Sequence, residues 1–199
     1  MTHSFRSSTT VSSIDPGKPH LILVGLPGAG KSTVGALLSE RLQRTFLDFD
    51  AELERREGMP VSQIFGERGE AGFRLLEKGL TEELTQFGNM ILSPGGGWVS
   101  DPAVVALLRP PAIMVYLRLR PEAALQRLGG SSAGRPLLNR PDPLAELKKL
   151  FELRRSAYQS ADIEIGAELL TAQQVTDQIV TKLGTLPPAP IGAPPPAAA

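Results

Sequence analysis

The stretch from His20 to Thr33, HLILVGLPGAGKST, constrains this chain more than any other feature of its sequence. Its first half is nearly continuously apolar, the pattern of a strand buried on both faces. Its second half, Gly25 to Thr33, fills every fixed position of G-x-x-x-x-G-K-[ST], and a helical pattern follows at once. From Lys31 to Arg44, Val34, Leu37, Leu38 and Leu42 recur at helical spacing, with Gly35 as a point of close approach. Gly25, Gly28 and Gly30 let the backbone curl so that successive N–H groups face one anion, and the helix adds its positive end. Lys31 brings a mobile charge to the β- and γ-phosphates, the Ser32 hydroxyl can ligate Mg²⁺, and Thr33 can add a phosphate contact. Gly28, Ala29, Gly30, Lys31, Ser32 and Thr33 are therefore the expected nucleotide-binding residues. The loop names a nucleotide site without naming a reaction, since GTPases, ATPases and small-molecule kinases all carry it.

Beyond the loop, short apolar runs alternate with helical patterns. Strands are expected at Thr45 to Phe49, Asn89 to Ser93, Ile113 to Leu117 and near Ala161 to Ile165. Helical patterns start at Asp50, run as one long amphipathic helix from Gly69 to Phe87, and resume at Asp101 until Pro110 and Pro111. Others are expected from Pro121 to Gly129, from about Asp142 to Tyr158, and from Ala172 to Leu183. Such alternation implies a parallel sheet covered on both faces. Residues 129–143, rich in Gly, Ser, Pro and Asn, are expected to form a long loop in an otherwise compact chain, and such loops usually serve function or lack order.

The 21 basic and 21 acidic residues cancel, which argues against a broad basic face for nucleic acid. With no cysteine there is no disulfide, thiolate metal site or cysteine nucleophile. The longest apolar runs, Ala103 to Leu108 and Ala112 to Leu117, are too short to span a membrane. Residues 1–19 are rich in Ser and Thr, lack an apolar signal-like region and hold only Arg6 and Lys18 as basic residues. They are expected to be a disordered tail, as is the Pro/Ala-rich segment 184–199, which leaves a single domain over 20–183.

Several residues outside the loop have side chains suited to phosphoryl transfer. Asp48 and Asp50 end the second strand two positions apart, which in an extended chain points both the same way, at the sheet edge where ligands bind. One could hold the Mg²⁺ hydration shell and the other accept a hydroxyl proton, although Asp50 would equally serve as a helix cap. Arg74, with Glu77 one turn later, reads on spacing alone as a solvated ion pair. Gly95, Gly96 and Gly97 directly after a strand are better explained by close approach of backbone to a ligand than by a plain turn. Arg135 lies in the long loop, as a lid arginine would, or as a solvated one. Arg154 and Arg155, ahead of Tyr158, could meet an anion or simply complement a helix dipole. Arg127 could stack on a base or be exposed.

Taken in order, GLPGAGKST, DFD, the FR of GEAGFRLLE, PGGG, GRPLL and RRSAY resemble the shikimate kinase family over about residues 20 to 183. The resemblance implies an α/β, nucleoside-monophosphate-kinase-like three-layer fold. Its parallel sheet would have five strands in the order 2-3-1-4-5, with helices on both faces, a substrate-binding region at about 50–80 and a mobile lid at about 129–142. It implies transfer of the ATP γ-phosphoryl group to the 3-hydroxyl of shikimate, with Mg²⁺, in a cytoplasmic monomer that binds neither nucleic acid nor membrane. Lys31, Asp50 and Arg135 would be catalytic. Asp48 would join Ser32 at the metal. Asp50, Arg74, Gly95, Gly96, Gly97 and Arg154 would bind shikimate, while Arg127 and Arg135 would lie against ATP. Trp98 stands where the family usually has a small or aliphatic residue, so this wall of the site is expected to be reshaped. Pro94 should stiffen the same loop, Gly72 should loosen the helix ahead of Arg74, and residues 166–171 lack the family's usual adenine-contacting pattern.

Two other functions remain in competition. A gluconate-type kinase shares the loop and fold but has no need of two arginines placed for a cyclic carboxylate. A kinase-like sensor domain would usually be joined to a DNA-binding module, and residues 1–19 are too few for a helix-turn-helix.

Overall fold

A computed structural model describes residues 18–129 and 141–186. Most of both expected tails, most of the expected lid, and Arg135 lie outside those residues.

Five parallel strands, β1 (Leu21–Val24), β2 (Phe46–Asp48), β3 (Ile91–Ser93), β4 (Ile113–Arg118) and β5 (Ile163–Gly166), form one sheet in the order β2-β3-β1-β4-β5. The register pairs Leu21 with both Ile91 and Ile113, so β1 is the central strand. Leu21, Ile22 and Leu23 are wholly buried, as the unbroken apolar run requires. Each such side chain removed from water stabilises the fold by roughly 1.5–3 kcal/mol.

The helices are α1 (Lys31–Leu42), α2 (Phe49–Glu57), α3 (Val61–Leu84), α4 (Pro102–Leu108), α5 (Pro121–Leu128), α6 (Pro143–Gln159) and α7 (Ala172–Leu183). A single 3-10 turn, Trp98–Ser100, separates β3 from α4. Caps set several boundaries. Asp101 accepts from the amides of Ala103 and Val104, Asp142 from that of Ala145, and Thr171 forms a capping box with Gln174. Gly35 carries no side chain because a Cβ there would collide with the ring of Phe46, which locks α1 against β2.

The helix expected over Gly69 to Phe87 is placed differently. Helical structure begins at Val61 and is broken at Gly69, whose φ of 67° and ψ of −178° are non-helical. The break folds Arg68 back toward Gly72, where a Cβ would lie 2.5 Å from that of Arg68. Gly72 is thus a packing requirement of the kink. The aspartate pair also departs from expectation. Only Asp48 is extended; Asp50 is already in the first turn of α2, and it is Asp48 that caps this helix, accepting from the amides of Asp50 and Ala51.

Candidate active site

The order β2-β3-β1 places three strand ends side by side at the carboxyl edge of the sheet, the edge at which open parallel sheets bind ligands. After β1 comes the glycine loop, after β2 the aspartates, and after β3 the triple glycine. The loop turns on Gly25, Gly28 and Gly30, with φ of 151°, 83° and 92°. At Gly25 a Cβ would stand 2.7 Å from the Leu117 carbonyl of β4, and at Gly28 it would press on Ala124 and Leu128 of α5. Ala29 is buried within the loop, and Gly30 caps α1 in the left-handed conformation. The Lys31 ammonium donates to the carbonyls of Gly25 (3.1 Å) and Leu26 (3.3 Å), and so arches over the loop.

Ser32 and Thr33 open α1 on its exposed side. The Ser32 hydroxyl donates to Asp48 Oδ2 at 2.6 Å, which joins the loop to the end of β2. Among the described residues no group of three or more acidic, His or Cys side chains could form a closed metal cage. A hydroxyl and a carboxylate side by side at a phosphate loop are nonetheless a fitting donor set for Mg²⁺, which keeps several waters and takes its remaining ligands from substrate phosphates.

The triple glycine is the meeting point of the other candidate side chains. A Cβ on Gly95 would fall on Glu77 Oε1 and lie 3.3 Å from Asp50 Oδ1. One on Gly96 would lie 2.8 Å from a guanidinium nitrogen of Arg154, and one on Gly97 would fall on the guanidinium of Arg74. A side chain at any of these three positions would therefore displace a charged group that α2, α3 or α6 directs onto this backbone.

Arg74 and Glu77 are an ion pair, but not a solvated one. Glu77 is 2% exposed, and Arg74 also reaches Glu70 at 3.2 Å. Burial pushes the Glu77 carboxyl up from the ordinary range, against the pull of Arg74. Asp50 is exposed as a residue, yet atoms packed around its carboxyl desolvate it, and with the neighbouring charge of Asp48 they push that carboxyl up as well. Arg154 is 7% exposed and faces the glycines, whereas Arg155 points outward to Glu152. Among the described residues, three buried side-chain polar atoms lack a well-formed hydrogen bond: Glu77 Oε1, Arg154 Nε and Tyr158 OH. The Gly95 amide and Arg154 stand near the first and last of these in looser geometry. Buried polar atoms are rarely left unsatisfied, and two of these belong to side chains that abut the triple glycine, Glu77 and Arg154.

A cleft of about 400 Å³ opens along Arg74, Glu77, Gly97 and Arg154. Trp98 borders it but is 2% exposed, its indole N–H donating to Thr81 at 2.9 Å. Arg127, on the last turn of α5, donates to the carbonyls of Ala167 (2.5 Å) and Glu168 (3.2 Å), which ties it to the segment after β5. Thr81 received no role from the sequence, Glu77 only that of a solvated partner of Arg74, and Tyr158 only a place in the RRSAY motif.

A sequence model of the family described as shikimate kinase matches residues 27–184. The chain is 37% identical over 188 residues to a shikimate kinase of a Synechococcus strain, an alignment covering 90% of this chain and 95% of the relative. It is 39% identical over 170 residues to the shikimate kinase of Thiobacillus denitrificans, covering 85% and 92% of the two chains. Among solved structures, the shikimate kinase of Acinetobacter baumannii in complex with shikimate superposes with a TM-score of 0.80 at 36% identity, over 84% of this chain and 94% of that one. A gluconokinase from Sinorhizobium meliloti shares the fold alone, at a TM-score of 0.57 and 14% identity.

Proposed function

The chain belongs to the shikimate kinase family, and from that premise we propose how its own residues divide the work of moving the γ-phosphoryl group of ATP to shikimate. The observation that carries this division is the convergence of Asp50, Arg74, Glu77 and Arg154 on Gly95–Gly97, one strand away from the phosphate loop. A small acid with hydroxyls on its ring asks for such a site: guanidinium forks for the carboxylate, a carboxylate for the hydroxyls, and a phosphate cradle beside them.

Arg74 and Arg154 hold the acceptor carboxylate, and the backbone N–H groups of Gly95, Gly96 and Gly97 line the ring. Asp50 hydrogen-bonds the ring hydroxyls and takes the proton of the 3-hydroxyl as that oxygen forms its bond to the γ-phosphorus. The bond from the γ-phosphorus to the bridging oxygen breaks, and ADP leaves with the electron pair. Lys31 and the loop amides of Gly28, Ala29, Gly30, Ser32 and Thr33 stabilise charge on the phosphates. Arg135 would meet the transferring group, and Arg127 would lie against the adenine. Mg²⁺ would be held by Ser32, with Asp48 acting through water, and it supplies neutralisation of the phosphate charge.

The working form is read as a monomer in the cytoplasm that binds neither nucleic acid nor membrane, with its kinase domain at about 20–183 and a lid near 129–142. No helix among the described residues is long and apolar enough to cross a membrane.

The test is ADP release with Mg²⁺-ATP in the presence of shikimate, gluconate or no acceptor. Stimulation by shikimate alone supports the reading. Equal or greater stimulation by gluconate would favour the other acceptor, and none by either would favour a sensor.

A further inference from the structure

Trp98 follows the triple glycine directly, and its side chain closes a circuit. Its indole N–H donates to Thr81 Oγ1 at 2.9 Å, and that hydroxyl in turn donates to the Glu77 carbonyl at 2.7 Å. The Glu77 carboxylate pairs with Arg74, whose guanidinium rests against the α-carbon of Gly97. The circuit therefore leaves the glycine loop through Trp98 and returns to it through Arg74. Thr81 is wholly buried and its hydroxyl is used both as acceptor and as donor, so neither bond has water as an alternative. On its other side the turn Trp98–Ser100 packs against α6, whose Arg154 faces the neighbouring Gly96.

We propose that Trp98 is a positioning residue for the acceptor: it fixes the glycine turn between α3 and α6 and so sets the separation of Arg74 and Arg154, the two arginines that receive the carboxylate. The two helices are far apart in sequence, and this turn is where both present a guanidinium to one short backbone segment. A side chain that only filled volume would need no donor. The indole supplies bulk and an N–H aimed at α3, and a buried indole N–H ordinarily has a partner of this kind. This inference rests on the proposed shikimate reading and concerns how its acceptor site is held, not the phosphate loop.

The test uses Trp98→Phe, which keeps most of the bulk and removes the donor, and Thr81→Val, which removes both hydrogen bonds at nearly constant shape. In each, the KM for shikimate should rise about fivefold, the scale of one lost buried hydrogen bond. The kcat and the KM for ATP should stay within about twofold. The double variant should be no worse than Thr81→Val alone, because the two changes act on one link. Trp98 is also the only tryptophan of the chain, so shikimate added without nucleotide should change the emission of the wild-type protein. A lower unfolding temperature with an unchanged shikimate KM in both variants would overturn the inference and leave Trp98 as core filling. Equal rises in both KM values would overturn it too, since that is general loosening. Failure of the unmodified chain to phosphorylate shikimate would instead overturn the underlying reading, and this inference with it.

Discussion

Glu77 holds Arg74 from below: the carboxylate is buried, the guanidinium reaches out toward the cleft, and Gly97 lies directly against it. With its carboxylate buried, the pair restricts where the fork of Arg74 can point. Glu77→Gln keeps the volume and removes the charge. The expected result is a shikimate KM raised at least about tenfold, with the KM for ATP unchanged, measured by coupled ADP release.

Arg154 and Arg155 are adjacent in sequence and differ entirely in surroundings. Arg154 is buried beside Gly96, and Arg155 reaches Glu152 on the exposed face of α6. Arg154→Ala should raise the shikimate KM about tenfold or more, while Arg155→Ala should leave it within about twofold. Steady-state kinetics on the two variants in parallel checks the contrast.

Asp50 stands between the phosphate loop and the triple glycine, and its carboxylate approaches Gly95. Asp50→Asn should lower kcat by at least about 100-fold, the scale of lost base catalysis, while nucleotide affinity measured by titration calorimetry stays nearly intact.

How much of this was legible in the sequence depended on how local each feature is. The loop from Gly25 to Thr33 and the strand before it were legible because residue type, backbone conformation and anion chemistry are all fixed within a few positions. The strand order was not derivable from periodicity and came from the family resemblance. Glu77 was misread as half of a solvated pair because its burial depends on Gly95, which lies well along the chain. The aspartates were read as one extended pair because the sequence does not show that the Asp48 side chain ends the strand by capping α2. The choice of Arg154 over Arg155 came from the family resemblance; the phase of α6, set by Tyr158, one turn beyond Arg154 and stacked on Tyr116 at 4.7 Å, is its physical ground.

His20 gives a stability prediction independent of catalysis. The ring is buried, accepts the Met90 amide at Nδ1 (3.3 Å) and lies 3.2 Å from the Leu84 carbonyl through Nε2, an arrangement suited to the neutral ring with its proton on Nε2. Burial holds its pKa below the ordinary value of about 6.5, and the charge of Arg44 adds to this. The unfolded chain therefore binds a proton more readily than the folded one. Stability is full above about pH 6.5 and falls as the pH drops from there toward the lowered folded-state value. Urea unfolding between pH 5 and pH 8 should show this slope, and His20→Gln should reduce it.

The most direct test of the central claim is the identity of the product. Phosphorus NMR of a reaction containing the chain, Mg²⁺-ATP and shikimate should show, as ADP appears, one new phosphomonoester signal coupled to the ring proton at carbon 3. Release of inorganic phosphate alone, or an ester at another hydroxyl, would contradict the account.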